Sequence, residues 1–158
     1  DPGKIGIVPG SSNNPRKRWA VKNWISLLSK LLADYPSARV HLYGTQVDMP
    51  ISNEISNSIG TDQIVNMTGR TNLCQLSFEF ATSALVIGND TGGMHLANAV
   101  GTPVAVLYGP TNPAKTGPCF NSPKICIQPK NCPLDGGRPI NSLSVNRVYK
   151  AVSELMKP

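Results

Sequence analysis

Ala84-Leu85-Val86-Ile87-Gly88-Asn89-Asp90-Thr91-Gly92-Gly93-Met94-His95 is the stretch that decides the fold. Its first five residues form a near-continuous apolar run, the mark of a strand buried on both faces. The rest is a glycine-bearing turn that leads into a helix. Residues 95–100 read as that helix, with Gly101 closing its C-terminal side, and Val104-Ala105-Val106-Leu107-Tyr108 follows as another buried strand.

The same alternation recurs outward in both directions. Residues 4–8 predict a first strand. Residues 21–35 predict a helix, because Trp24, Leu27, Leu28, Leu31 and Leu32 fall on one helical face before Pro36 stops it. A second strand is expected over 39–43, a weaker helix over 51–59, a third strand over 64–67 and a helix over 73–82. Residues 109–142 are rich in Pro, Gly, Asn and Cys and show no clear period apart from a candidate sixth strand over 124–128. Ser144 is placed to cap a last helix over 145–156, with Val148, Val152 and Leu155 on one face. Strands alternating with helices imply a single α/β domain, residues 1–158, built on a Rossmann-like parallel sheet covered by helices on both faces.

Composition narrows the function. The chain has 158 residues, 40% hydrophobic and 15% charged, against about 25% charged for an average soluble domain. Disorder, collagen-like repeats and a coiled coil are excluded. Fifteen Lys and Arg against nine Asp and Glu give a net charge of +6, which suits an anionic ligand or surface. No apolar run approaches the ~20 residues that cross a bilayer. The chain opens without Met and enters a strand within five residues, so it is expected to be a fragment of a longer protein. Cys74, Cys119, Cys126 and Cys132 are expected as reduced thiols, with a cytoplasmic setting as the working assumption. The last three lack a C-x-x-C pair, so no metal is expected.

In an open parallel sheet the ligand lies beyond the carboxyl ends of the strands, where strand order reverses. With the common doubly wound order, the loops after strands one and four face one ligand there. The first loop carries Ser11, Ser12, Arg16, Lys17 and Arg18; the second carries Asp90, Thr91, Gly92 and Gly93. Glycines at a helix start let backbone amides approach an anion, so a phosphate or diphosphate is the natural guest. Each feature also has a plainer reading, which stays open: Asp90 or Thr91 as an N-cap, the cations as a solvated run, His95 as a structural histidine rather than a donor to phosphate or sugar. Asp48, just past strand two, stands where dinucleotide-binding folds place an acid for the ribose; a loop carboxylate in water is the alternative. His41 reads as a strand residue. G-x-G-x-x-G, G-x-x-x-x-G-K-[ST], G-x-S-x-G and H-E-x-x-H are all missing, which lowers dehydrogenase, P-loop, hydrolase and zincin readings. The few aromatics are not interleaved with basic residues, so nucleic-acid binding is not expected.

Pro9-Gly10-Ser11-Ser12 followed by Lys17-Arg18-Trp19, Gly44-Thr45 with Asp48, Asn89 to Ala97, and Gly101-Thr102-Pro103 running into Leu107-Tyr108-Gly109-Pro110-Thr111 together resemble the lipopolysaccharide heptosyltransferases, the ADP-heptose glycosyltransferases of family nine. The resemblance covers nearly the whole chain. It implies the C-terminal, donor-binding half of a two-domain GT-B enzyme that moves heptose from ADP-heptose to the lipopolysaccharide inner core, inverting and without a metal or other cofactor. It also implies an acceptor and a catalytic base held by an N-terminal domain outside this chain, so that this half alone binds nucleotide weakly and does not turn over. Lys17, Asp90 and His95 would serve the reaction. Thr91, Gly92 and Gly93 would surround the diphosphate with them, Ser11 and Ser12 would add phosphate contacts, Asp48 would approach the ribose, and the segment from Thr71 to Leu73 the adenine. Contact with the cytoplasmic face of the inner membrane is left open. The tail departs from the family, because only Cys126, Pro129 and Cys132 approximate its denser Cys-x-Pro-Cys pattern. The alternative of another class is a non-catalytic nucleotide- or phosphate-binding module.

Overall fold

The computed structural model describes residues 3–11 and 14–156. Six strands, β1 (Lys4–Val8), β2 (Arg39–Leu42), β3 (Ile64–Asn66), β4 (Leu85–Asn89), β5 (Val104–Leu107) and β6 (Lys124–Ile127), form one sheet in the order β3-β2-β1-β4-β5-β6. Every neighbouring pair is parallel. The order reverses between β1 and β4, which places the switch point where the sequence leads one to look. The candidate strand over 124–128 is real and closes one edge of the sheet.

Side-chain alternation along the strands divides the core into two layers. Ile5, Ile7, Leu85, Ile87, Ala105 and Leu107 face one side, where α1 (Val21–Asp34), α2 (Met49–Ile59) and α6 (Val145–Leu155) cover them. Trp24, Leu27, Leu28 and Leu31 of α1 are fully buried, each contributing about 1.5–3 kcal/mol by leaving water. Val8, Val86, Val104 and Val106 face the other side, against Phe80 of α3 (Leu73–Ala81) and Met94 and Ala97 of α4 (Gly92–Ala99). This second layer is thin at Gly88, where a Cβ would lie 2.5 Å from Met94 Sδ and 2.9 Å from Val8 Cβ. Glycine there lets α4 press onto the sheet directly beside the switch point.

Two elements start earlier than the periodicity predicts. Helix α4 begins at Gly92 rather than at residue 95, with Thr91 as N-cap; the glycine pair read as a turn is the first helical turn, and His95 is its fourth residue. Helix α2 begins at Met49 rather than near residue 51, and Pro50 is accommodated because first-turn amides have no helical partner. Residues 109–142 hold little regular structure besides β6: a single turn α5 (Pro113–Thr116) and a 3-10 turn at Ile140–Ser142. Among the described residues no helix is long and apolar enough to cross a membrane.

Candidate functional site

Asn89, the last residue of β4, sets the frame of the site. Its side chain is fully buried. Nδ2 donates to the carbonyls of Pro9, at 2.7 Å, and Gly10, at 3.2 Å, while Oδ1 accepts from the backbone amide of Trp19 at 3.3 Å. One carboxamide thus ties the loop after β1 to the end of β4. Ser11 donates its hydroxyl proton to the carbonyl of Asn14, and Asn14 caps a 3-10 turn at Pro15–Lys17. That turn aims Lys17 across the switch point. Ser12 lies outside the described residues.

Lys17 Nζ sits 2.9 Å from Asp90 Oδ2. Asp90 is 6% exposed, and the same oxygen accepts from the hydroxyls of Thr111 at 2.8 Å and Thr116 at 3.3 Å. The loops after β1, β4 and β5 therefore meet at one carboxylate. Of the three successive cations Lys17 makes this crossing; Arg16 is exposed and Arg18 half-buried.

Beside this junction a cavity of about 490 Å3 opens at the carboxyl ends of β1, β2 and β4, within the range usual for small-molecule sites. Tyr43, Leu73, Leu76 and Phe80 supply an apolar wall, and Gly10, Gly44, Gly69, Gly92 and Gly93 bring backbone to its surface. Asp48, Thr71 and Thr91 complete it. Lys17, Asp90 and His95 do not line it; His95 lies part-buried one turn inside α4.

Two polar atoms in this lining are buried and without a partner: Asp48 Oδ1 and Thr91 Oγ1. Asp48 is only 4% exposed, which removes the reading of a loop carboxylate in water. Its Oδ2 accepts from both the amide and the hydroxyl of Thr45 at 2.9 Å, and this leaves Oδ1 to face Gly10. A Cβ on Gly10 would come within 2.1 Å of that atom. Thr91, although the N-cap of α4, does not cap with its side chain, so its hydroxyl and the first amides of the helix are available to a guest. A buried polar atom without a hydrogen-bond partner is costly, and this wall carries two of them side by side with the start of α4.

The apolar wall is fixed from behind. Lys4 Nζ and Tyr43 Oη each sit 2.7 Å from Glu79 Oε2 of α3. His41 Nδ1 lies 3.3 Å from the same tyrosine oxygen. The hydrogen bonds from Lys4 and Tyr43 hold the Glu79 carboxyl below its usual range; burial, aided by Lys4, lowers the His41 imidazole. Burial and the bond to Glu79 push the Tyr43 phenol far up. His41 is thus a strand residue in a polar brace. Among the described residues no group of three or more His, Cys, Asp or Glu could hold a metal ion, and all four cysteines are free.

A family model described as glycosyltransferase family 9 (heptosyltransferase) matches residues 1–138. The chain belongs to glycosyltransferase family 9. It is 36% identical over 124 residues to lipooligosaccharide heptosyltransferase 2 of Haemophilus influenzae, covering 77% of this chain and 35% of that protein. It is 32% identical over 124 residues to lipopolysaccharide heptosyltransferase 2 of Escherichia coli, with the same coverage. The solved structure of the Escherichia coli ADP-heptose lipopolysaccharide heptosyltransferase II superimposes with a TM-score of 0.85 at 29% identity, over 97% of this chain and 46% of that one. This family 9 chain thus spans about a third of the length of these two curated relatives and about half of the solved one.

Within the family 9 chain, Asp48, Thr71, Thr91, Gly92 and Gly93 come together at the cavity wall, and Lys17 and Asp90 pair next to it. Asn89, Thr116 and Glu79 are structural members of the site that the sequence reading passed over. Asn89 carried a signal: a carboxamide ending an otherwise apolar strand must be satisfied by something.

Proposed function

We propose that this chain is the donor-binding half of a heptosyltransferase and holds ADP-heptose at the carboxyl ends of β1, β2 and β4. The observation that carries this reading is the pair of buried, unpartnered atoms, Asp48 Oδ1 and Thr91 Oγ1, on one cavity wall beside the uncapped start of α4. A nucleoside diphosphate supplies what they lack. Ribose hydroxyls donate to Asp48, the base lies against Leu73, Leu76 and Phe80, and the diphosphate accepts from Thr91 and the amides of Gly92 and Gly93. Lys17 and His95 add charge and a hydrogen bond at the phosphate and sugar end. Family membership and the apolar wall favour this reading over a module that holds phosphate alone.

The reaction is an inverting transfer. A hydroxyl of the lipopolysaccharide core attacks the anomeric carbon of heptose as the bond to the diphosphate oxygen breaks; that oxygen keeps the electron pair and becomes part of ADP. The hydroxyl proton passes to a base contributed from outside this chain. Negative charge grows on the leaving phosphate, where the Lys17 ammonium and the α4 amides stabilise it, each such donor being worth about 3–4 kcal/mol. They take the place of a metal ion in this scheme. Titration calorimetry tests the donor site: saturable ADP binding is expected, unchanged by EDTA, and the absence of binding at millimolar ADP overturns the proposal.

A further inference from the structure

The three donors on Asp90 Oδ2 are more than one carboxylate oxygen can accept well, since the two oxygens together offer about four lone-pair sites. Distance ranks them. Thr111 Oγ1 at 2.8 Å and Lys17 Nζ at 2.9 Å are full hydrogen bonds, and Thr116 Oγ1 at 3.3 Å is a weak one. Thr116 also has a competing acceptor, because its single proton lies within reach of the Asn112 carbonyl at 3.2 Å. The acceptor they share is 6% exposed, so water offers little substitute for a missing donor.

Asp90 itself belongs to β4's loop and Lys17 to β1's loop, and the Lys17 ammonium reaches the carboxylate from one side. Thr111 reaches it from the loop after β5. We propose that Thr111, with Thr116 as a lesser partner, is a positioning residue that acts through Asp90 Oδ2 to hold the Lys17 ammonium where the donor's diphosphate lies. The inference rests on the donor-site reading above and extends it to a loop that lines no part of the cavity. Without the Thr111 hydroxyl the carboxylate turns toward whichever donor remains, and Lys17, 23% exposed along its side chain, follows it or swings into solvent. The adenosine wall is untouched, because Leu73, Leu76 and Phe80 belong to α3.

The test compares ADP, AMP and adenosine on the wild-type chain and on Thr111→Val, Thr111→Ser and Thr116→Val, by titration calorimetry with a thermal melt of each variant. Val keeps the shape of Thr and removes the hydroxyl. Thr111→Val is expected to weaken ADP by about tenfold, the equivalent of one charge-assisted hydrogen bond, and to leave adenosine within twofold. Thr111→Ser restores ADP affinity, and Thr116→Val has the smaller effect. Equal losses for ADP and adenosine, or no loss for either, overturn the positioning role while leaving the donor site standing. A wild-type chain that binds adenosine as tightly as ADP also overturns it, since no phosphate term exists to be positioned. A wild-type chain that binds none of the three overturns the donor site itself, and the positioning role with it.

Discussion

Lys17 and Asp90 stand 73 residues apart in the chain and 2.9 Å apart in space. Their pairing is a direct product of strand order: β1 and β4 are neighbours in the sheet, so the turn after one and the loop after the other open at the same edge. The pair is largely desolvated, and breaking one side of it leaves a carboxylate with only hydroxyl partners.

Lys17→Met is therefore expected to lower stability by up to about 3 kcal/mol, the lower end for a broken buried pair because Lys17 keeps some solvent contact. Adding Asp90→Asn should return most of that stability without returning ADP affinity. Urea denaturation and calorimetry separate the two effects; full recovery of ADP binding in the double variant would show that Lys17 has no part in holding phosphate.

Gly10→Ala is expected to be far costlier than its single methyl suggests. The new Cβ would fall 2.1 Å from Asp48 Oδ1, so either the loop after β1 or the Asp48 carboxylate must move, at about 1–3 kcal/mol. ADP affinity should drop at the same time, and 2′-deoxy-ADP, which lacks a donor for Asp48, should lose discrimination against ADP in this variant. An alanine variant that melts and binds like wild type contradicts the placement of Asp48.

The brace behind α3 makes stability depend on pH in one direction. His41 is lowered from 6.5 and Glu79 from 4.5, so in each case the unfolded chain takes up a proton first as pH falls. Stability from both is complete above pH about 6.5. It declines as pH drops through the His41 range and declines again below about 4.5 as Glu79 protonates. Denaturant midpoints measured from pH 8 to pH 4 should show this, and His41→Gln should flatten the upper part of the curve. Superimposable curves would remove His41 as a contributor.

Leu28→Ala in α1 tests the larger core layer. Leu28 is fully buried, and truncation should cost about 2–5 kcal/mol with no change in the ratio of ADP to adenosine affinity. A shift in that ratio would mean that α1 reaches the site.

The sequence showed the sheet well because its central strands β4 and β5 are near-continuous apolar runs, as at Val86 and Ile87, and α1 because five large side chains repeat at helical spacing. It showed the start of α4 poorly. Gly92 and Gly93 have low helix propensity and read as a turn, yet the neighbouring contact of Met94 with Gly88 holds them in helical conformation, and packing outweighs propensity there. Asp48 could not be sorted between water and pocket, because one of the segments packed against it is at Gly10, 38 residues earlier by number and brought close through the β1–β2 pairing. The partners of Asp90 were equally hidden. The segment after β5 has no apolar period to read, since backbone bonds such as Arg138 N to the Gly109 carbonyl, at 3.1 Å, organise it.

Asn89 has one more consequence. With the rims of the first and fourth strands bolted together by a single carboxamide, their relative placement is set in the folded chain before any guest arrives. The entropy of ordering those rims is spent during folding rather than during capture. Replacing Asn89 by a residue that cannot bond both rims would therefore surface as slower, looser nucleotide capture by a chain whose sheet is still intact.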